Sequence, residues 1–381
     1  MSTTVDTNTI ENALSLMKRF AKRTGIANKN GTNTRRYLWT DAFALLNFLA
    51  LKNLNKDEVY DDQALRLIKQ VHYNLGKFAP DDSREGWISS LPEEKAENHP
   101  TIGGLRIGKK LPERKKEQLY DQRLEWDRDG QYYHYHTRWI HALLKAGSHF
   151  ESKKLSEWAA ELSLTGSQFI IDKEGDLSMY WKMSVDLSRP LVPVMGAHDP
   201  LEGLICALQA KEISNSYKED FDIYIEKLKK LCDRSDWGTD DALGIGSLLL
   251  NVISAAELEK KIDLPDSIST KRLLRDAEQS LNAFYESYEY DKSADQRLAF
   301  RECGLSLGLR CLEGNLDLIE QHGLIPNIDS EIWSLAREIE EYWLQKENTD
   351  VASFQDHLDI NVVSLAASLL ASVHPETYTS I

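Results

Sequence analysis

The sequence predicts an all-α fold of about twelve helices, six of them facing solvent and six enclosed. Three observations carry this reading. Helical periodicity dominates the 381 residues. The helix-like segments alternate strictly between charged amphipathic ones and ones apolar nearly all round. β-like stretches are few, the clearest being GSQFIIDKEGDLSMYWKM (Gly166 to Met183), where DKEGD separates two short runs and predicts a hairpin.

In chain order, the first, charged segment is ENALSLMKRFAKR (Glu11 to Arg23), followed by the apolar LWTDAFALLNFLAL (Leu38 to Leu51). The charged DQALRLIKQVHYNLGKF (Asp62 to Phe78) precedes YYHYHTRWIHALLKAG (Tyr132 to Gly147), and the charged ESKKLSEWAAELS (Glu151 to Ser163) precedes DPLEGLICALQA (Asp199 to Ala210). YKEDFDIYIEKLKKL (Tyr217 to Leu231) is paired in the same way with DDALGIGSLLLNVISA (Asp240 to Ala255). TKRLLRDAEQSLNAFYESY (Thr270 to Tyr288) is paired with RLAFRECGLSLGLRCL (Arg297 to Leu312), and EIWSLAREIEEYWLQKE (Glu331 to Glu347) with INVVSLAASLLASV (Ile360 to Val373). The charged members show one apolar stripe against a polar face, as a helix with one side in water does. The apolar members must be covered nearly all round, and their Gly, Ala and Ser residues permit close approach of neighbouring helices.

An inner ring enclosed by an outer ring accommodates this alternation, and here the chain resembles the (α/α)6-toroid sugar enzymes, six-hairpin glycosidase-like and N-acylglucosamine 2-epimerase-like. The resemblance is architectural and covers most of the chain, read as one domain over 1–381. An α-solenoid also alternates helix pairs, but the uneven connections fit poorly with a regular repeat. One connection, 79–118, is a loop of about forty residues, a length that in compact domains marks function or disorder. It holds four prolines, four glycines and GGLRIGKKLPER, and is read as a lid-like insertion over one end of the barrel.

The hydrophobic fraction of 41% with 28% charged residues is that of a soluble globular protein. The net charge of −15 argues against general nucleic-acid binding. No apolar run approaches the roughly 18 residues that span a bilayer, and MSTTVDTNTIEN lacks the basic-then-apolar pattern of a secretory signal. The four scattered cysteines form no CxxC pair, so reduced thiols and a cytoplasmic location are expected.

The resemblance places an active site at the starts of the inner helices, where unusual residues concentrate. Asp41 opens the first inner helix after Arg36 and Trp39; His198 and Asp199 open the third; Asp240 and Asp241 open the fourth after Trp237. Aspartate there also caps helices, and Asp199-Pro200-Leu201-Glu202 is close to a capping box. The segment RLEWDRDGQYYHYHTRWIHALLKAG clusters Glu125, Asp127 and Asp129 around Trp126. Neighbouring carboxylates and an aromatic wall raise one acid's pKa while another stays ionised, as glycoside cleavage requires. The alternative there is a charged turn ending at Asp129-Gly130. On the following helix His134, Arg138, His141 and Lys145 form a polar stripe, whereas His136 shares the apolar face and is ringed by tyrosines, Tyr133 among them.

Asp41, Glu125, Asp127, His136, His198 and Asp240 are therefore the catalytic candidates. Arg36, Trp39, Trp87, Arg106, Trp126, Tyr133, Arg138, Asp199, Trp237 and Asp241 are the substrate-binding ones. HxH followed by His141 is not a zinc-helix spacing, and GGLRIGKK lacks the strand–loop–helix context of a phosphate loop, so no metal or cofactor is expected. The reading is a carbohydrate-active enzyme, a glycoside hydrolase using paired carboxylates on a small saccharide or sugar phosphate. A sugar epimerase with His136 and His198 moving protons, and a non-catalytic helical scaffold, are the alternatives.

Overall fold

Each of the twelve periodic segments folds as a helix. The computed structural model describes residues 7–28, 35–214, 216–288 and 292–379. Its long helices are α1 (Thr7–Arg23), α2 (Leu38–Asn55), α3 (Glu58–Leu75), α4 (Tyr133–His149), α5 (Lys153–Thr165), α6 (Asp199–Ile213), α7 (Lys218–Cys232), α8 (Ala242–Glu259), α9 (Thr270–Ser287), α10 (Ala299–Glu313), α11 (Ser330–Leu344) and α12 (Leu358–Ala371). Burial follows the two kinds of pattern. The charged α9 buries Leu273, Leu274, Ala277, Ser280 and Leu281, a single stripe. The apolar α12 buries every residue from Asn361 to Ala371.

The chain divides into two compact units. The first holds 1–27, 46–61 and 236–380. In it α8 packs on α9 and α10, α10 on α11 and α12, and α12 on α1. Small residues set the closeness of α8 and α10: a Cβ on Gly308 would lie 2.6 Å from the Gly246 carbonyl oxygen, and one on Gly246 would collide with Gly304. By length and composition α8 is the one helix among the described residues able to span a bilayer, which corrects the expectation that no run is long enough. Most of its residues are buried in the protein, as in a core helix.

The second unit holds 28–45 and 62–235. Here α4 packs on α5 and α6, and α6 on α7. The expected hairpin is present as β2 (Ile170–Lys173) against β3 (Asp176–Met179), turning at Glu174 and Gly175, both with positive φ (56° and 89°). The periodicity did not indicate a second, three-stranded sheet. In it β1 (Gln131–Tyr132) pairs with β4 (Lys182–Met183), and β4 with β5 (Pro190–Val192).

The 79–118 connection is packed rather than free. Leu105 and Ile107 are fully buried. The Arg106 amide donates to the Leu75 carbonyl (2.9 Å), the Leu38 amide to Ile107 (3.1 Å), and the Ile107 amide to Gly130 (2.9 Å). This part of the loop, expected as a lid, is wall: it joins the start of α2 and the end of α3 to the strand before α4. Gly108 makes that fit, since its φ of +91° and its contact with the Arg36 carbonyl both exclude a Cβ.

Candidate functional site

The start of α4 is built by the small sheet. Because β1 pairs with β4, Trp181 lies beside Tyr132, and the Tyr133 amide donates to the Trp181 carbonyl at 3.2 Å. The Tyr132 and Trp181 rings stack with centroids 5.6 Å apart, and Trp126 meets Trp181 edge-on at 4.7 Å. Trp181 donates its indole N–H to His134 Nδ1 at 2.8 Å. Trp39, at the start of α2, packs on His134 (5.7 Å) and Tyr135 (5.3 Å), and the Tyr37 and Tyr135 hydroxyls share a 2.6 Å hydrogen bond. Beside this run of rings lies a cavity of about 560 Å3, walled by Trp126, Trp181, Tyr132, Tyr120, Arg114 and β5 with the two residues after it. Trp126 is 44% exposed, an open aromatic face of the kind that stacks on the C–H side of a sugar ring.

The carboxylates sort by partner. Glu125, at the cavity wall, is held by Arg114 Nε (2.9 Å) and Lys182 Nζ (3.1 Å). Lys182 is wholly buried and also donates to the Glu125 and Arg128 carbonyls at 2.6 and 2.8 Å. Burial pushes its ammonium pKa down, and Glu125 opposes that shift. Two cations on one carboxylate commit it to holding the wall together, so Glu125 reads as a structural residue. Asp129 is bound by Arg106 and by the Gly108 amide (3.0 Å), while Arg106 donates as well to the Lys77 and Asn74 carbonyls, each at 2.7 Å. Asp41 is buried against Arg36 (3.4 Å) and accepts the Tyr37 amide at 3.2 Å. Asp127 is exposed.

At the start of α6, Asp199 and Glu202 share the first turn. His198 is the N-cap, and Asp199 turns its carboxylate back to the Gly196 amide (3.2 Å), so the capping box expected of DPLE is not made. Burial, then the neighbouring Glu202 charge, push the Asp199 pKa up to about 8; the Gly196 N–H opposes them. Glu202 is instead held by the Arg138 guanidinium and by the Thr137 hydroxyl (2.7 Å). Arg138 also lies over the Trp39 ring, 5.6 Å from its centroid. One acid thus keeps its proton at neutral pH while its neighbour is paired with a cation.

His134 and His136 are held neutral by burial. His134 accepts from Trp181, and burial with the Arg138 charge lowers its pKa to about 3. His136 is buried against the Leu105 backbone, its Nε2 3.0 Å from that carbonyl, with a pKa lowered to about 4 by burial. His198 is half-buried at the mouth of α6.

Other candidates have partners outside this cluster. Tyr133 shares a 2.6 Å bond with Tyr224 in the core, and Trp87 lines a different cavity. Trp237, Asp240 and Asp241 belong to the first unit. There Trp237 is fully buried and donates to the Ser267 carbonyl (2.7 Å), Asp241 caps α8 through the Gly244 amide (2.9 Å) and pairs with Arg301, and Asp240 is exposed. Glu202, Arg114, Lys182 and Tyr37 were not singled out from the sequence. The available signal for Glu202 was an acid one turn into an otherwise apolar helix.

No family model matches the sequence, and no curated protein matches it. Solved structures do. The alpha-1,6-mannanase GH76A of Salegentibacter sp. HEL1_6, as an inactive variant in complex with alpha-1,6-mannotriose, superposes with a TM-score of 0.56 at 13% identity. That match covers 95% of this chain and 99% of the mannanase. Cellobiose 2-epimerase from Spirochaeta thermophila DSM 6192 matches with a TM-score of 0.52 at 11% identity, over 98% of this chain and 99% of the epimerase. The fold is the (α/α)6 toroid. Cellobiose 2-epimerase from Bacillus thermoamylovorans B4167 matches too, with a TM-score of 0.51 at 10% identity over 90% of this chain and 87% of its own. The twelve alternating helices are therefore the six hairpins of that fold, and the resemblance read from the alternation stands.

Proposed function

We propose that this chain is a carbohydrate-active enzyme, a glycoside hydrolase acting on a small saccharide, with Asp199 and Glu202 as its carboxylate pair. The observation that carries the reading is their divergence within one helical turn: Asp199 retains a proton up to about pH 8, and Glu202 is paired with Arg138. A protonated acid beside an ionised one is the division of labour that glycosidic cleavage uses. Asp199 would donate to the leaving oxygen, and Glu202 would stabilise positive charge at the sugar carbon or activate water. Trp126, Trp181 and Trp39 would hold sugar rings, with Arg138 fixing the Glu202 carboxylate. Among the residues first singled out, Trp39 and Trp126 keep a substrate role here, and Arg138 becomes a positioning residue for Glu202. Asp127, exposed next to Trp126, is a further carboxylate within reach of substrate.

The mannanase complex with mannotriose supports a neutral α-linked oligosaccharide as the first substrate to try. An epimerase is the second reading, supported by the likeness to cellobiose 2-epimerases and by His198 at the mouth of α6. Against it, the neutral His134 and His136 leave His198 without an imidazole partner of suitable pKa. Mass spectrometry after incubation with alpha-1,6-mannotriose and with cellobiose separates the two: hydrolysis shortens the sugar, and epimerisation preserves its mass. Asp199→Asn and Glu202→Gln should each reduce hydrolysis at least about 100-fold; parent-like rates in both variants would refute the assignment. The cytoplasm is the proposed compartment, supported by four buried thiols outside any disulfide.

A further inference from the structure

A second cavity, of about 780 Å3, opens in the same unit between the end of α3, the start of α5 and the short helix Glu93–Asn98. None of the residues assigned to the reaction above lines it. Its walls carry the rings of Tyr73, Trp87, Phe150 and Trp158.

His72 lines this cavity and is buried. Its Nε2 receives the Trp139 indole N–H at 3.1 Å, and an indole nitrogen can only donate. Nε2 is therefore the bare nitrogen, and the imidazole proton sits on Nδ1. Burial lowers the His72 pKa to about 3, so this neutral tautomer holds across the physiological range. Nδ1 is buried and has no hydrogen-bond partner in the protein. His72 thus brings a buried, unpaired donor to the wall of the cavity, where an acceptor on a bound ligand would satisfy it.

The other polar groups narrow what brings that acceptor. Glu94 and Glu97 are balanced by Lys69 and Lys154, so the walls have no net charge to attract an ion. Lys154 lies 5.1 Å over the Trp158 ring and donates to the Asn98 side chain at 3.1 Å. The fit is a neutral ligand with apolar faces for the rings, an acceptor oxygen for His72 and hydroxyl donors for the two glutamates. A pyranose ring has all three.

We propose that this cavity is an accessory binding site for a neutral saccharide, separate from the Asp199–Glu202 site. It would anchor a chain without cleaving it and does not depend on the proposed reaction. The test uses protein labelled with 5-fluorotryptophan, with the Trp158 resonance assigned by its loss in Trp158→Phe. Titration with alpha-1,6-mannotriose, cellotriose and maltotriose should shift the Trp158 signal saturably, whether or not Trp126 and Trp181 are replaced by alanine. His72→Phe should weaken that binding about tenfold, and Glu97→Ala, an exposed change that leaves folding intact, at least about threefold. A Trp158 signal unmoved by all three sugars, moved equally in both variants, or moved only by glucose 6-phosphate overturns the proposal. A saturable shift without turnover of any sugar leaves the accessory site standing and refutes the reaction instead.

Discussion

Asp199→Asn is the most informative single substitution. In the folded protein the Asp199 pKa is raised from 3.8 to about 8, chiefly by burial. Between those values the folded state holds a proton that the unfolded chain has lost. Stability therefore falls as pH rises through that window and is lowest once pH exceeds the folded pKa. At about 1.4 kcal/mol per unit, a shift of roughly four units sets a ceiling on the order of 5 kcal/mol; local relaxation on ionisation will reduce it. Asparagine mimics the neutral acid, can still accept the Gly196 amide and does not titrate. The parent should lose melting temperature from pH 5 to pH 9 in excess of the variant, and the two curves should cross so that Asp199→Asn is the more stable form above pH 8. Differential scanning fluorimetry across that range reads the difference directly. In activity, the parent's alkaline limb should fall near pH 8 as the acid ionises. Parallel melting curves from pH 5 to pH 9 would mean that Asp199 is ionised throughout, and its role as proton donor would go with it.

Further substitutions separate structural residues from the site. Glu125→Gln removes the carboxylate from the wholly buried Lys182 and should cost about 3 kcal/mol in urea unfolding; adding Lys182→Met should recover part of that. A parent-like midpoint for the single variant would contradict the structural role. Gly246→Ala should destabilise by about 3 kcal/mol or more, because α8 and α10 touch there through backbone, and an unchanged urea midpoint would show that the helices lie further apart. Trp237→Phe, in the core, should lower the melting temperature and leave mannotriose affinity unchanged. Trp181→Ala should do the reverse, with at least a tenfold loss of affinity by calorimetry.

The architecture was readable because burial on all sides and burial on one side leave different patterns. INVVSLAASLLASV has no polar face to offer water, and α12 is buried along its length; TKRLLRDAEQSLNAFYESY has one, and α9 buries a single stripe. The small sheet was not readable, since strands of two or three residues carry no period. At the candidate site, Trp126 lines a cavity and Arg138 pairs with Glu202, and the roles within both segments depend on distant partners. Glu125 looks like a candidate acid until Lys182, 57 residues later, is brought against it. Glu202 looks like part of a cap until Arg138, 64 residues earlier, claims it. Trp237 and Trp181 both lie in connections between elements, and only tertiary packing sends one into the core and the other to a cavity.

Three aspartates at the starts of inner helices show what turns a helix-start acid into a functional candidate. Asp41 is set against Arg36 and takes the Tyr37 amide; Asp241 pairs with Arg301 and caps α8. Each has a cation and a backbone donor, which spend the carboxylate on structure. Asp199 is as buried as Asp41 and has a backbone donor too. Arg138, the cation that reaches its turn, is bound to Glu202. Burial is then opposed by a single N–H, and the proton stays on. The same residue type at the same point in three hairpins therefore differs in chemistry because of where one guanidinium goes. Moving that charge should move the acid: Arg138→Gln frees the Glu202 carboxylate of its counter-ion, adds unscreened negative charge beside Asp199 and should shift the alkaline limb of activity above pH 8. An alkaline limb that stays in place would mean that Arg138 does not govern the pair.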